Sequence, residues 1–278
     1  MSLQEFLPTP RFDEYREFFT DFFTLERRGD GVLLAKAHTL GGPVQLSVQN
    51  HRALGQFFKV VGADPENELL ILTGSGDEFM MDSDPKGFEL EEQDLEYWAY
   101  EYAYKDGRIN VSSMVNDLEI PTIGVFNGSG FHSEILLMCD LTIMASEARI
   151  YDLHYGISSV PGDGIHSAFI ELLGVKRAAY ALLTGEAIDA ATALDYGMVN
   201  EVVHAADALA RAYVLADHIM SQHLRRPPPD DADHPSALEA ADRERPRRRV
   251  RDPGVRAPRQ GRIGAQPRAH RGLRRLRP

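Results

Sequence analysis

The sequence predicts an α/β protein, in which strands and helices alternate along the chain. Short apolar runs of strand length recur, and stretches with helical periodicity lie between them. One or two helical stretches follow each strand, which is typical of α/β architecture. The turn signal Asp30-Gly31 separates two apolar runs and predicts a β-hairpin. A hydrophobic fraction of 43% is sufficient for a buried core.

The first half of the chain contains a hairpin and helices on either side of a buried strand. Ser47 is a suitable N-cap for one of these helices. The last helix of this half carries aromatic side chains on more than one face, so they either pack against a neighbour or line an apolar substrate pocket. In order, we predict a helix at 12–23, a hairpin at 23–38, a loop at 39–46, a helix at 47–61, a strand at 68–73, an acidic loop, and the aromatic helix at 91–117.

The second half repeats the alternation with shorter elements. Glycines and turn residues separate the apolar runs and set their boundaries. We predict strands at 121–126, 140–145, 148–151 and 198–203, and helices within 130–138 and at 164–173, 176–183, 189–196 and 205–222.

Charge and cysteine content exclude several classes of protein. Residues 1–224 carry 14 Lys+Arg and 35 Asp+Glu, a balance of −21, whereas residues 225–278 carry 16 and 7, a balance of +9. The acidic body argues against a nucleic-acid partner. No apolar run approaches ~20 residues, so we expect no membrane span. Cys139 is the only cysteine, so no intrachain disulfide can form and we expect a cytoplasmic location.

The stretch from Tyr151 to Gly164 concentrates residues suited to catalysis. His154 lies nine residues before Asp163, which stands between Gly162 and Gly164. A carboxylate at such a turn can contact the imidazole, fix its tautomer and raise its basicity, as a His–Asp general-base pair requires. The alternative is that Asp163 caps the following helix and His154 is a surface histidine.

Six motifs in order resemble those of the crotonase (enoyl-CoA hydratase/isomerase) superfamily. The resemblance covers roughly residues 23 to 223. It implies a spiral of ββα repeats, a helical C-terminal region that forms trimers, and an oxyanion hole made by two backbone N–H groups. The motifs are Arg27-Arg-Gly-Asp-Gly-Val32, Leu72-Thr-Gly-Ser-Gly76 with Phe79, Ile120-Pro121 with Asn127-Gly128, Glu134 with Met138-Cys-Asp140, Val160-Pro-Gly-Asp-Gly164, and Leu183-Thr-Gly-Glu186 with Asp195-Tyr-Gly-Met-Val-Asn-Glu201.

Departures from the hydratase pattern favour one branch of the superfamily. His154 replaces the second catalytic glutamate of hydratases, and residues 39–48 lack the usual basic residue for coenzyme A phosphates. The chain is more similar to the branch of 6-oxocamphor hydrolase and related β-diketone hydrolases. That resemblance implies catalytic roles for His154, Asp163, His51 and His132, and backbone donors near Ser83 and Phe131 for the oxyanion hole. Glu134 matches the first acid of hydratases and is expected to have a secondary role.

 The branch implies hydrolysis of a carbon–carbon bond in a β-diketone. The reaction is a retro-Claisen hydrolysis, and it requires no metal and no organic cofactor because the diketone itself accepts the electrons. Two alternatives remain open from the sequence. One is an enoyl-CoA hydratase or isomerase that uses Glu134, and the other is a non-catalytic scaffold with the same fold. The expected partners are a small diketone, apolar and cyclic, and further copies of the chain in a homotrimer or a dimer of trimers if the C-terminal helices form.

The C-terminal tail differs from the rest of the chain. All 16 basic residues after Leu224 are arginines, and nine of the 16 prolines lie there. We therefore predict an N-terminal helix at 1–22, a spiral core at 23–204, the start of a helical region at 205–224 and a tail without regular structure at 225–278. Out-of-frame translation of a GC-rich gene is one hypothesis for the tail, and a native basic extension is the alternative.

Overall fold

The computed structural model describes residues 9–88 and 99–222. These residues belong to one compact unit, Met1–Arg225, and Arg226–Pro278 form a second unit that lies outside the described residues. The predictions for residues 1–8, for the first turns of the aromatic helix at 91–98 and for the tail also lie outside the described residues. The described part is an α/β fold, as the alternation of apolar runs predicts.

A mixed six-stranded sheet forms the centre of the fold. Its first two strands form the predicted antiparallel hairpin, and every other neighbouring pair is parallel. Strands buried on both faces are expected in such a sheet, and all residues of the strands Leu69–Gly74 and Thr122–Phe126 are buried. In spatial order the strands are β1 (Phe23–Arg27), β2 (Val32–Ala37), β4 (Leu69–Gly74), β6 (Thr122–Phe126), β7 (Leu141–Ala145) and β10 (Glu201–Val203).

Short strands form a second layer that the sequence analysis mostly missed. Two of them, β3 (Val44–Leu46) and β5 (Met80–Ser83), pair in parallel where we predicted loops. The other two, β8 (Arg149–Ile150) and β9 (Ile188–Asp189), pair antiparallel. Gly130 bridges the layer, since it pairs with both Met80 and Ile150. Strands of two to four residues carry too little periodicity to be recognised.

Seven α-helices lie within the described residues. None of the helices there is long and apolar enough to cross a membrane. A π-helix, Ala99–Asp106, leads directly into the third α-helix. The α-helices are α1 (Phe12–Phe18), α2 (Val48–Ala63), α3 (Gly107–Asn116), α4 (Glu134–Leu137), α5 (Ile165–Thr184), α6 (Ala190–Asp195) and α7 (Ala205–Ser221).

Three helix predictions need correction. The helix within 130–138 is a single turn, α4, because the chain before it follows the short-strand layer. The helices predicted at 164–173 and 176–183 form one element, α5, with a kink at Gly174, where φ is 73°. The described part of the aromatic helix changes from π to α geometry at Gly107.

Apolar residues cover both faces of the central sheet. On one face, α2 buries Phe57 and Phe58, and its first turn is fixed by a capping box between Ser47 and Asn50. On the other face, α7 presents alanines at 208, 212 and 216, whose four-residue spacing places them on one side of the helix. The sheet is thus held between helices, and the connections at its carboxyl ends are free to carry polar side chains.

Candidate active site

Three histidines and two carboxylates that the sequence indicated lie together in the structure. They come from the first turn of α2, from the start of α4 and the connection before it, and from the connection that precedes α5. All but His154 are buried or nearly so, and the His154 side chain retains 22% of its exposure. The cluster consists of His51, His132, Glu134, His154 and Asp163, and the structure adds Asp152 to it.

Asp163 occupies the centre of the cluster. Its Oδ2 lies 3.2 Å from His132 Nδ1 and 3.2 Å from His154 Nε2. Its Oδ1 accepts a hydrogen bond from the Ile165 N–H at 3.3 Å, at the start of α5. One oxygen of Asp163 thus contacts the backbone at the start of α5, whose N-cap residue is Gly164, and the other oxygen faces the two histidines.

The turn that holds Asp163 depends on Gly164. This residue has φ of 109°, a conformation that side chains disfavour, and a Cβ here would overlap a methyl group of Val111. We expect Gly164→Ala to lower the free energy of unfolding by about 2–4 kcal/mol, from backbone strain and overpacking together. Denaturant unfolding followed by circular dichroism measures the change.

Gly162 offers a matched control on the other side of Asp163. A Cβ at this position would meet no atom within 4 Å, and φ is not positive. We expect Gly162→Ala to leave the unfolding free energy within about 1 kcal/mol of wild type. Equal stability of the two alanine variants would contradict the proposed strain at Gly164.

His132 is held by two carboxylates through the same ring nitrogen. Its Nδ1 lies 2.9 Å from Glu134 Oε1 and 3.2 Å from Asp163 Oδ2. Both oxygens are acceptors, so the proton belongs on Nδ1 and the lone pair of the neutral ring belongs on Nε2. Burial lowers the pKa of His132, but the charges of Glu134 and Asp163 outweigh burial and raise it above its usual value.

His154 differs from His132 because both of its ring nitrogens face carboxylates. Nδ1 lies 2.7 Å from Asp152 Oδ1, and Nε2 lies 3.2 Å from Asp163 Oδ2. Burial lowers the pKa of His154, but its hydrogen bonds to the two aspartates raise it to about 10. Contacts with carboxylates at both ring nitrogens favour the imidazolium form of His154, whereas the sequence suggested a neutral base.

Burial and neighbouring charges shift the pKa values of the two central carboxyls in opposite directions. Burial raises the pKa of Asp163, but the neighbouring imidazole groups of His132 and His154 lower it well below its usual range. Burial and the charge of Asp163 both raise the pKa of Glu134. Glu134 Oε2 is buried and has no hydrogen-bond partner in the described part of the chain.

His51 is a neutral member of the cluster. It is buried in α2, and its ring centroid lies 5.5 Å from that of His132. Burial and the nearby His132 lower the pKa of His51 to about 3. A neutral imidazole at this place packs against His132 without adding a competing positive charge.

The two backbone amides proposed for the oxyanion hole have acceptors within the chain. The Ser83 N–H donates to Asp82 Oδ1 at 2.8 Å. The Phe131 N–H donates to the Met80 carbonyl at 2.9 Å, as part of the bridge between Met80 and Gly130. In this structure neither amide is an open donor.

Together these contacts form a chain of alternating carboxylates and imidazoles. His132, Glu134 and Asp163 also offer three ligand atoms within 4.8 Å of one another, as a metal site would require. A proton on His132 Nδ1 accounts for the two short separations among them. The sequence missed Asp152, although it stands two residues before His154 in Tyr151-Asp-Leu-His154.

The α/β fold, with its short strands beside the central sheet, is that of the crotonase class. The family model described as enoyl-CoA hydratase/isomerase matches residues 45–226. The chain belongs to this family.

Curated relatives of the chain are named as acyl-CoA hydratases. A crotonyl-CoA hydratase of Syntrophomonas wolfei is 31% identical over 58% of this chain and 62% of that protein. A short-chain-enoyl-CoA hydratase of Clostridium acetobutylicum is 29% identical over 71% of this chain and 74% of that protein. The chain thus spans less than two thirds of the Syntrophomonas protein.

Solved structures with the same fold include a protein that is named for a different activity. A β-diketone hydrolase from Anabaena sp. PCC 7120, bound to (S)-3-oxocyclohexyl acetic acid, is 29% identical with a TM-score of 0.66, over 76% of this chain and 83% of that one. An enoyl-CoA hydratase from Bacillus anthracis is 24% identical with a TM-score of 0.61, over 72% and 76% of the two chains. The second likeness concerns the fold alone.

Proposed function

We propose that this protein hydrolyses a carbon–carbon bond between the two carbonyls of a β-diketone, by a retro-Claisen reaction. The observation that carries the proposal is the position of Asp163 between His132 and His154. One imidazole can accept a proton while the other remains positively charged, and hydrolysis through an enolate needs both functions. The likeness to the Anabaena β-diketone hydrolase supports the same activity.

In the proposed mechanism His132 is the general base. Its Nδ1–H is held by Glu134 and Asp163, which leaves the lone pair on Nε2 for the proton of a water molecule. The resulting hydroxide attacks one carbonyl carbon and forms a tetrahedral oxyanion. Two carboxylates on the opposite nitrogen stabilise the imidazolium that forms, as the aspartate of a catalytic triad does.

His154 supplies the positive charge in this mechanism. Its hydrogen bond to Asp152 and the nearby carboxylate of Asp163 hold it as an imidazolium, which stabilises the oxyanion and then the enolate. When the tetrahedral intermediate collapses, the bond between the carbonyl carbon and the central carbon breaks and its electron pair passes to the enolate. The proton that His132 took from water returns to that carbon, and the product is a keto acid.

A cyclic substrate is the preferred choice within this class. The Anabaena β-diketone hydrolase has bound a cyclic keto acid, a compound with one carbonyl and one carboxylate. Hydrolysis of a diketone leaves one group of each kind, because the attacked carbonyl becomes the carboxylate and the other remains a ketone.

Hydration or isomerisation of an acyl-CoA is the second candidate function, favoured by the names of the curated relatives. Glu134 would be the acid–base group of such a reaction. Its Oε1 is already engaged by His132, and the position that a second glutamate would fill holds His154. These contacts favour the hydrolase.

The decisive experiment measures loss of diketone absorbance for a panel of cyclic β-diketones, beside loss of the enoyl absorbance of crotonyl-CoA. Wild type is assayed with His154→Ala and with His204→Ala, a control at a surface histidine whose side chain is 80% exposed. We expect wild type and the His204 variant to hydrolyse a diketone and the His154 variant to lose turnover by about 10²-fold or more.

Each other result has a definite meaning. Diketone turnover that survives in His154→Ala would remove His154 from the mechanism. Turnover of crotonyl-CoA without diketone hydrolysis would establish the hydratase. Absence of both activities in folded protein would overturn the proposed function and favour a non-catalytic role.

A further inference from the structure

Asp152 contacts the cluster from the side opposite Asp163. It lies two residues after the end of β8, and its side chain is only 2% exposed. Its Oδ1 lies 2.7 Å from His154 Nδ1, closer than Asp163 Oδ2 lies to Nε2. Its other oxygen, Oδ2, is buried without a hydrogen-bond partner among residues 9–88 and 99–222.

This contact determines the orientation of the His154 ring. A buried carboxylate that accepts a hydrogen bond from Nδ1 fixes that nitrogen as the protonated one and directs Nε2 towards Asp163. A ring flip would place a carbon atom against Asp152 Oδ1 and leave a buried carboxylate without a partner, which is costly. The geometry therefore assigns one orientation to the ring.

We propose that Asp152 is the positioning residue of His154. The Asp152 carboxylate keeps the His154 ring protonated on both nitrogens, so the ring is suited to stabilise an anion rather than to act as a base. The catalytic part of this inference rests on the proposed function, whereas the contact between Asp152 and His154 is present without substrate. Among the described residues, the other titratable groups near His154 include Asp163, His132, whose ring centroid lies 6.2 Å away, and His51, whose pKa is lowered by burial and by the charges of His132 and His154.

The test is an NMR titration of the imidazole groups in wild type, Asp152→Asn and the exposed control Asp195→Asn. Asparagine has the shape of aspartate but no charge, so the contact loses its electrostatic part. Removal of one opposite charge at this distance lowers the pKa of the imidazole by about 1 to 3. We expect this decrease for His154 in Asp152→Asn and no change in Asp195→Asn, because Asp195 is exposed.

A merely structural role would give a different result. If Asp152 only stabilises the fold, Asp152→Asn will unfold at lower denaturant concentration while the pKa of His154 stays unchanged, and this outcome overturns the proposal. Should Asp152→Asn fail to fold, Asp152→Glu keeps the charge, and its His154 pKa must then remain close to that of wild type. A large decrease in that variant would also overturn the proposal.

Kinetics separate this inference from the proposed function. With a diketone that is turned over, the high-pH limb of kcat/KM should move to lower pH in Asp152→Asn by the same amount as the pKa of His154. If no diketone is hydrolysed, the NMR result still decides the role of Asp152. If a diketone is hydrolysed and the pKa does not change, the function stands and the role of Asp152 fails.

Discussion

Replacement of Asp163 by asparagine is expected to lower kcat for diketone hydrolysis by about 10³- to 10⁴-fold, with the fold retained. Asp163 faces both imidazoles through Oδ2 at 3.2 Å, so the loss of its charge affects the base and the stabilising cation together. A comparable loss, about 10⁴-fold, follows removal of the charge from the aspartate of a catalytic triad. Stopped-flow or steady-state measurement of diketone absorbance gives the ratio.

The asparagine variant separates catalysis from stability. The side-chain amide keeps an oxygen for the hydrogen bond from the Ile165 N–H, so the start of α5 retains its local contact. We expect the unfolding midpoint to change far less than it does in Gly164→Ala, whose defect is steric. A kcat within tenfold of wild type would show that Asp163 is only a helix-capping residue.

The His154–Asp163 pair was recognisable from a turn in the sequence, whereas His51, His132 and Glu134 were indicated by the resemblance to the family. Asp163 stands between two glycines at a helix start, and its spacing from His154 suggested a pair. The contact between them is present at 3.2 Å. Their division of roles could not be read from the sequence, because it depends on which ring nitrogen each carboxylate reaches.

The contacts of Asp152 and of the two backbone amides also could not be predicted from the sequence. Asp152 is one of many acidic residues, and only its burial and its 2.7 Å contact distinguish it. The Phe131 N–H donates to the Met80 carbonyl because Gly130 pairs with Met80 in the layer of short strands. That pairing could not be predicted, because the residues of the short strands have mixed polarity and no clear periodicity. The long strands of the central sheet were predictable, since continuous apolar runs require burial on both faces.

Replacement of His132 by asparagine is expected to lower kcat/KM by about 10²- to 10⁴-fold, the contribution of a general base. His132 has φ of 51°, a conformation that asparagine tolerates well, so backbone strain is small. The asparagine amide can still donate towards Glu134 and Asp163, but it has no counterpart of Nε2. His204→Asn, at the exposed surface, serves as the matched control.

The dependence of kcat/KM on pH identifies the roles of the two histidines. The base must be neutral, so the rate rises as His132 loses its proton, above the usual histidine pKa because Glu134 and Asp163 outweigh burial. The cation must be protonated, so the rate falls as His154 loses its proton near pH 10. Wild type is therefore expected to have a bell-shaped profile whose maximum lies above neutral pH.

His132→Asn should lose the low-pH limb of this profile and keep the high-pH limb. The remaining activity would then depend on hydroxide or on unassisted water, with His154 still stabilising the anion. If the variant instead kept the low-pH limb, the base would be another group. If wild type showed a single rise towards pH 10 with no fall, deprotonated His154 would be the base, as the sequence alone suggested, and the roles assigned from the ring nitrogens would be reversed.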